Sequence, residues 1–378
     1  MTADATPSSV PPGRPAPPQG RFARLLGRLF HTSLVLVPLG VLANIWWTWY
    51  ATDRSVFHHL ADLPREYLYL ALALGLVPWF TNATRMWLWS RFIGTGLGWR
   101  DNLGVTLGSE LASSVVPTSS GTEVMRWGIF VQKGVPQGKA ISIVTLCWLQ
   151  DSLFFALALP LSIVISRAWN LPVLRTVGRQ ARGKAIVISL SVAAVVFAVR
   201  LLWRAVLIGR LGEAPRRKGL KWTAKTKRRL SRTVADVREV RGMVIERGKG
   251  LFLLTELITA VQWSCRYSVI TALAYFLAPG THIDPVLFFL LQWVVFTAMS
   301  VVPTPGGSGG AEAVFVLVYS ALLPDAVIGI ATAGWRFLTF YVQLALGSIL
   351  FTGMNLHDAR RAALARRRAR REGAENDV

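Results

Sequence analysis

Charge is scarce in this chain. Only 16% of its 378 residues are Asp, Glu, Lys or Arg, against roughly 25% in an ordinary soluble domain. A soluble chain of this length would form two or three domains and carry more charge. Cysteine is nearly absent: Cys147 and Cys265 are the two present, and both fall in apolar runs. They read as small apolar fillers, which excludes a disulfide framework and a thiolate metal site. Histidine is equally thin, and His31, His58, His59, His282 and His357 have no metal-ligand spacing. No H-E-x-x-H occurs, and no P-loop, so zinc hydrolysis and direct ATP drive are not expected. Acidic residues number 20 against 42 basic ones. No cofactor and no enzymatic activity are anticipated, because no soluble segment is large and apolar enough to house a catalytic domain.

What is present is apolar. Hydrophobic residues make up 52% of the chain and the mean hydropathy is +0.42. Runs of span length occupy 31–50, about 66–90, 139–166, 185–209, 251–278 and 325–353, each near the roughly 20 residues that crossing a bilayer needs. Fifteen tryptophans suit interfacial belts, as at Trp46, Trp47 and Trp49. The expected fold class is therefore an all-α polytopic membrane protein with about six spanning helices.

The formal net charge of +22 points to membrane surfaces and not to nucleic acid. Its basic residues collect between apolar runs, and no nucleic-acid-binding module accompanies them. Arg210 to Lys249 contains fourteen Lys and Arg, and such a segment sets topology and meets anionic lipid headgroups on the cytoplasmic side. Residues 1–30 form a Pro-rich tail, expected to be disordered and cytoplasmic. The run at 31–50 reads as a retained helix and not a cleaved leader. With a cytoplasmic N-terminus, the 210–250 basic loop follows four spans and the basic tail at 354–378 follows six. Both are then cytoplasmic, and the chain sits in the cytoplasmic (inner) membrane. The segment carrying Arg167, Arg175, Arg179, Arg182 and Lys184 falls outside and conflicts with the rule.

One phrase occurs twice. Ser114-Val115-Val116-Pro117-Thr118 returns as Ser300-Val301-Val302-Pro303-Thr304, and each copy runs through glycine to a glutamate, Glu123 and Glu312. Each copy breaks an apolar region, 103–133 or 285–323, into two short halves that suit a re-entrant hairpin. Two ordinary short helices crossing in turn would also fit and would give ten crossings. On the hairpin reading, a first membrane repeat at 31–166 and a second at 185–353 each run span, span, hairpin, span. Three spans separate the hairpins, so the second repeat is inverted. Matching broken segments in two halves mark the binding site of alternating-access carriers.

Each break places a helix N-terminus within the membrane, where unpaired N–H groups attract an anion such as phosphate. Ser119, Ser120 and Thr122 add hydroxyl donors beside Gly121. Pro305, Gly306, Gly307, Ser308 and Gly309 let the backbone approach a ligand closely. Arg126, one turn beyond Glu123, can pair with it or hold a phosphate. Ser120 to Glu123 has capping-box spacing and Glu312 lies third from Gly309, so both glutamates also serve as first-turn caps. Glu110, Asp151, Arg266 and Arg336 fall inside apolar helices. Asp151 or Glu110 is expected to pair with Arg336 or Arg266. Arg85 and Arg91, near a helix end, are expected to snorkel.

Pro117, Gly121-Thr122-Glu123, Arg126 and Asp151, followed by Pro303-Thr304-Pro305-Gly306-Gly307-Ser308-Gly309, Glu312 and Arg336, resemble the lysylphosphatidylglycerol synthase transmembrane (flippase-like) family. The resemblance covers roughly 30–353. It implies a lipid-handling membrane domain, whose best-known members are associated with flipping aminoacylated phospholipid. Two features depart from the pattern. The aminoacyltransferase domain that follows in the synthases is replaced by an Arg-rich tail, and Cys147-Trp148 stand where a Glu-Arg pair is expected before Asp151.

The resulting expectation is a carrier moving a phospholipid or polyprenyl-type lipid, or other amphiphile with an anionic head, between leaflets. The substrate site comprises Ser119 to Glu123, Arg126, Asp151, Pro305 to Gly309, Glu312 and Arg336. The alternatives are a membrane-embedded transferase acting on a lipid-linked sugar or aminoacyl lipid, and an accessory scaffold for a lipid-synthesis enzyme. The sequence is silent on oligomeric state.

Overall fold

A computed structural model describes residues 63–115, 121–168, 224–301 and 310–354, together with Leu42, Trp46 and Leu356. Every regular element among them is helical. The expected spans at 31–50 and 185–209 and both Pro/Gly breaks lie outside the described residues. The other four expected spans are helices: α1 (Arg65–Phe92), α4 (Gln137–Ile165), α6 (Lys249–Leu277) and α9 (Asp325–Met354). Between them lie the short helices α2 (Trp99–Val115), α3 (Gly121–Gln132), α7 (Pro285–Val301) and α8 (Gly310–Tyr319). The order long, short, short, long thus occurs twice.

The boundaries follow from local chemistry. Asp284 caps α7 by accepting hydrogen bonds from the backbone N–H of Val286 and Leu287 at 2.9 and 3.1 Å, with proline at the first helical position, where its missing donor costs nothing. Asp101 accepts from the N–H of Gly98 at 3.0 Å, reaching back across the first turn of α2 as a capping-box acid does. α1 ends where Gly94 takes a φ of +71°, the left-handed conformation in which glycine closes a helix.

The first pair of short helices doubles back on itself. α2 and α3 pack side by side, and Lys133 Nζ, just past α3, lies 2.8 Å from Asp101 Oδ1 in the first turn of α2. The hairpin therefore begins and ends at one level.

α1 and α6 form the central pair. Tyr67 stacks on Tyr275, Arg85 reaches Thr259 and Trp89 meets Phe252. One number rises as the other falls, so the two helices run antiparallel. Around their far ends α7, α8 and α9 complete one apolar core, with Phe288, Phe315, Tyr319 and Trp335 buried. Around the other end α2, α3 and α4 build a second, with Met86, Trp89, Phe130 and Ile143.

Among the described residues, α4 and α9 are the helices sufficient, by length and apolar composition, to cross a membrane. α4 exposes Leu157, Leu161, Val164 and Ile165, and 17% of its most apolar stretch is buried. A core helix of a soluble protein would hide such a surface; lipid accepts it. α1 and α6 fall short of that composition because their mutual faces carry polar side chains.

The basic loop expected at 210–250 is not wholly a loop: its second half is helix α5 (Ala224–Arg247). Polar residues dominate it, yet Val240 is buried against the second core. α5 lies very close to the start of α4, where a Cβ added at Gly138 would stand 2.5 Å from the Thr233 carbonyl oxygen. Only glycine permits that approach.

Candidate functional site

Among the described residues, four arginines lie in the interiors of the apolar helices, away from the ends, and each meets a carboxylate. Arg126 Nη1 lies 3.0 Å from Glu123 Oε1, one turn apart on α3, and its Nε donates to Ser109 Oγ of α2 at 3.4 Å. Arg336 Nε lies 2.9 Å from Glu312 Oε1, joining α9 to the first turn of α8. Both first-turn glutamates beyond the breaks are thus held by arginine. The equivalence does not extend to the partner's origin, since Arg126 comes from the same helix and Arg336 from the next. Arg336 is buried, lies over the Phe340 ring at 4.6 Å, and immediately precedes a π-helical turn at Phe337–Tyr341. Such turns break the regular register and are frequent at functional sites.

Of the other two pairs, one bridges the halves and one lies within the first half. Arg266 Nη1 of α6 approaches Glu110 Oε1 of α2 at 3.7 Å, as anticipated for this pair. Trp79 Nε1 donates to Glu110 Oε2 at 2.6 Å. Asp151 behaves otherwise than expected. It pairs with neither Arg336 nor Arg266 but with Arg85, whose Nη1 lies 2.6 Å from Oδ1, and Trp263 Nε1 donates to the same oxygen at 2.8 Å. Arg85 does not snorkel. It is fully buried, with further hydrogen bonds to Thr259 and Asn82. Its charge is compensated by a carboxylate deep between helices, a stronger pull than a distant interface. Arg91 does reach the surface, where it lies 5.9 Å from the Trp87 ring centroid.

Arg85 therefore occupies the centre of this network. Glu123 and Cys147 lie within its electrostatic range, so the α3 pair and the α4 pair belong to one charged region. Glu123 Oε2 is buried without a partner among the described residues. Thr122 is half-buried at the start of α3. Gly121 opens α3, whereas Ser119, Ser120 and Pro305 through Gly309 lie outside the described residues. Aromatic rings wall the region on the α4, α6 and α7 side, with Phe155, Trp263, Tyr267 and Phe296 in successive contact.

One participant was placed wrongly from the sequence: Arg85, which was expected at the interface. The signal was available in the spacing. Trp79, Asn82, Arg85 and Trp89 recur at intervals of three and four on α1, as do Thr255, Thr259, Gln262 and Arg266 on α6. That spacing places each set on a single helix face, and polar groups on one face of an apolar helix point inward. One resemblance in the letters requires correction. Gly306-Gly307-Ser308-Gly309-Gly310 spells G-x-S-x-G, but a nucleophile elbow needs a strand ahead of it, and here helix α7 precedes it.

An all-helical chain with lipid-facing apolar surfaces and buried arginine–carboxylate pairs is a membrane protein. Residues 32–347 match the model of the lysylphosphatidylglycerol synthase TM region, and the chain belongs to that family. It is also similar to a UPF0104 membrane protein of Archaeoglobus fulgidus, 25% identical over 290 residues that cover 75% of this chain and 84% of the relative.

Proposed function

We propose that this protein is a flippase-like carrier that moves a lipid with an anionic, phosphate-bearing headgroup between the leaflets of the cytoplasmic membrane, with both termini cytoplasmic. The observation that carries the reading is the repeated device at the two breaks: a helix N-terminus, a first-turn glutamate and a buried arginine upon it, Glu123–Arg126 and Glu312–Arg336. Two further features support it. The long, short, short, long order recurs, and α1 and α6, the second expected span of each half, run antiparallel. Equivalent helices running in opposite directions are what an inverted-topology repeat requires.

Arg126 is engaged by one oxygen of Glu123, so the headgroup binds by exchange. Phosphate takes the guanidinium, helped by the N–H groups at the start of α3, and Glu123 is displaced. A planar guanidinium grips phosphate with two parallel hydrogen bonds, which lysine cannot do. The acyl tails remain in lipid throughout, along surfaces such as the exposed face of α4. No group transfer is required of any residue, and the protein acts as a carrier and not an enzyme.

The test is leaflet-resolved movement of fluorescent phospholipids in vesicles containing the purified protein, with insertion verified separately. Arg126→Ala should lower the rate more than Arg126→Lys. Glu123→Gln, which frees Arg126 from a competing anion, should tighten headgroup binding while leaving the fold intact. Wild-type rates in Arg126→Ala would show that the lipid passes elsewhere. Chemical turnover of a lipid-linked donor by the purified protein would favour a transferase.

A further inference from the structure

The intramembrane charges leave one acid over. Among the described residues, the interiors of the apolar helices hold four arginines, each with its own carboxylate: Arg85 with Asp151, Arg126 with Glu123, Arg266 with Glu110 and Arg336 with Glu312. Glu256, two turns into α6, is the fifth acid and has no arginine of its own. Its Oε2 is buried and meets no hydrogen-bond donor among the described residues. Arg85 and Asp151 lie within electrostatic range of it.

We infer that Glu256 is a proton-binding site, and that loading and releasing this proton couples proton movement to the rearrangement of the two halves. The side chain is half-buried, and a carboxylate oxygen enclosed with no donor among the described residues is a place where binding a proton costs less than keeping a bare charge. The charged groups around α6 are accounted for. α1 brings Arg85, whose Nη1 and Nη2 already serve Asp151, Thr259 and Asn82. α4 brings Asp151. α7 brings no charge between Pro285 and Val301. α9 brings Asp325, in its first turn, and Arg336, held by Glu312. The nearby end of α5 brings Glu246 and Arg247, both exposed.

The step balances simply. A proton from water on one side binds the Glu256 carboxylate, and the same proton leaves to water on the other. While it is bound, Arg85 serves Asp151 alone and ties α1 to α4. When it leaves, Glu256 becomes a second carboxylate competing for Arg85, whose buried Nε has no acceptor among the described residues. Asp151 is on α4 in the first half and Glu256 on α6 in the second, so the competition acts on the seam between them. This inference rests on the carrier reading, deepens it, and can be tested apart from it.

Infrared difference spectroscopy on the protein in vesicles, titrated with pH, reads the carbonyl stretch of a protonated carboxylic acid. That band should be present in the wild type and lost in Glu256→Gln, which keeps the shape of the neutral acid. In the same vesicles, an imposed pH gradient should change the rate of lipid movement in the wild type and in Glu256→Asp. It should leave Glu256→Gln without response. A band that survives in Glu256→Gln, or a gradient response equal to wild type in that variant, overturns the proposal. A response to a sodium gradient in place of a proton gradient does the same. A band lost in Glu256→Gln, in a protein that moves no lipid, upholds the proton site and removes the carrier reading.

Discussion

Arg85 shows how a single side chain can be misjudged by position alone. Numerically it lies close to the end of α1, and a long cationic side chain there usually bends to the interface. Its burial is decided by the partner, because a carboxylate 2.6 Å away and two neutral acceptors replace the hydration it gives up. Removing one member of such a pair strands the other. Arg85→Ala should therefore destabilise the protein by roughly 3–5 kcal/mol, read as a lower unfolding temperature in detergent. Arg85→Ala combined with Asp151→Ala should recover much of that loss, since no unpaired charge remains. A double variant no more stable than the single one would mean that Arg85 acts mainly through Asn82 and Thr259. Partner identity was the part of the site least legible in the sequence. The acids and arginines could be named, but Asp151 and Arg85 are 66 positions apart, and only the packing of α4 on α1 and α6 selects that pair over Arg266 or Arg336. Glu110 with Arg266 was one of the combinations the letters left open, and packing of α2 against α6 selects it.

Among the elements, the long apolar helices were legible because hydropathy over twenty residues is a strong signal. α5 was less so, since a basic segment without a hydrophobic run reads as a loop, and its helix is anchored by few apolar contacts such as Val240. Its fit against α4 depends on Gly138. Gly138→Val should force the two helices apart and cost roughly 1–3 kcal/mol, as overpacking typically does. Limited proteolysis should then cut α5 faster in the variant than in the wild type. The α2–α3 hairpin offers a sharper test. In a background lacking Cys147 and Cys265, cysteines at Asp101 and Lys133 should be joined by a short bifunctional maleimide, and both should react from one side of the membrane. Labelling from opposite sides would remove the antiparallel α2–α3 pairing.

At the scale of the whole molecule, the doubled phrase at 114–118 and 300–304 announced a two-part architecture, and the recurring helix lengths agree with it. The letters give direction only through a count of three spans between the breaks, one of which lies outside the described residues. The antiparallel run of α1 and α6, where Tyr67 meets Tyr275 and Trp89 meets Phe252, is what that count requires. An inverted pair makes a definite prediction for the two breaks: single cysteines at Thr118 and Thr304, introduced in the same cysteine-free background, should label from opposite faces with an impermeant thiol reagent. Labelling of both from one face would remove the inverted arrangement. The pairing of arginine with carboxylate carries a consequence for membrane voltage. Arg126 and Glu123 share α3, so a movement of that helix transfers none of this pair's charge, and the electric field acts on the cargo. A headgroup with one negative charge crossing unaccompanied would feel roughly 2.3 kcal/mol for each 100 mV. The same headgroup crossing with one proton would feel almost none, and a carrier of that kind would work equally well in an energised and a depolarised cell.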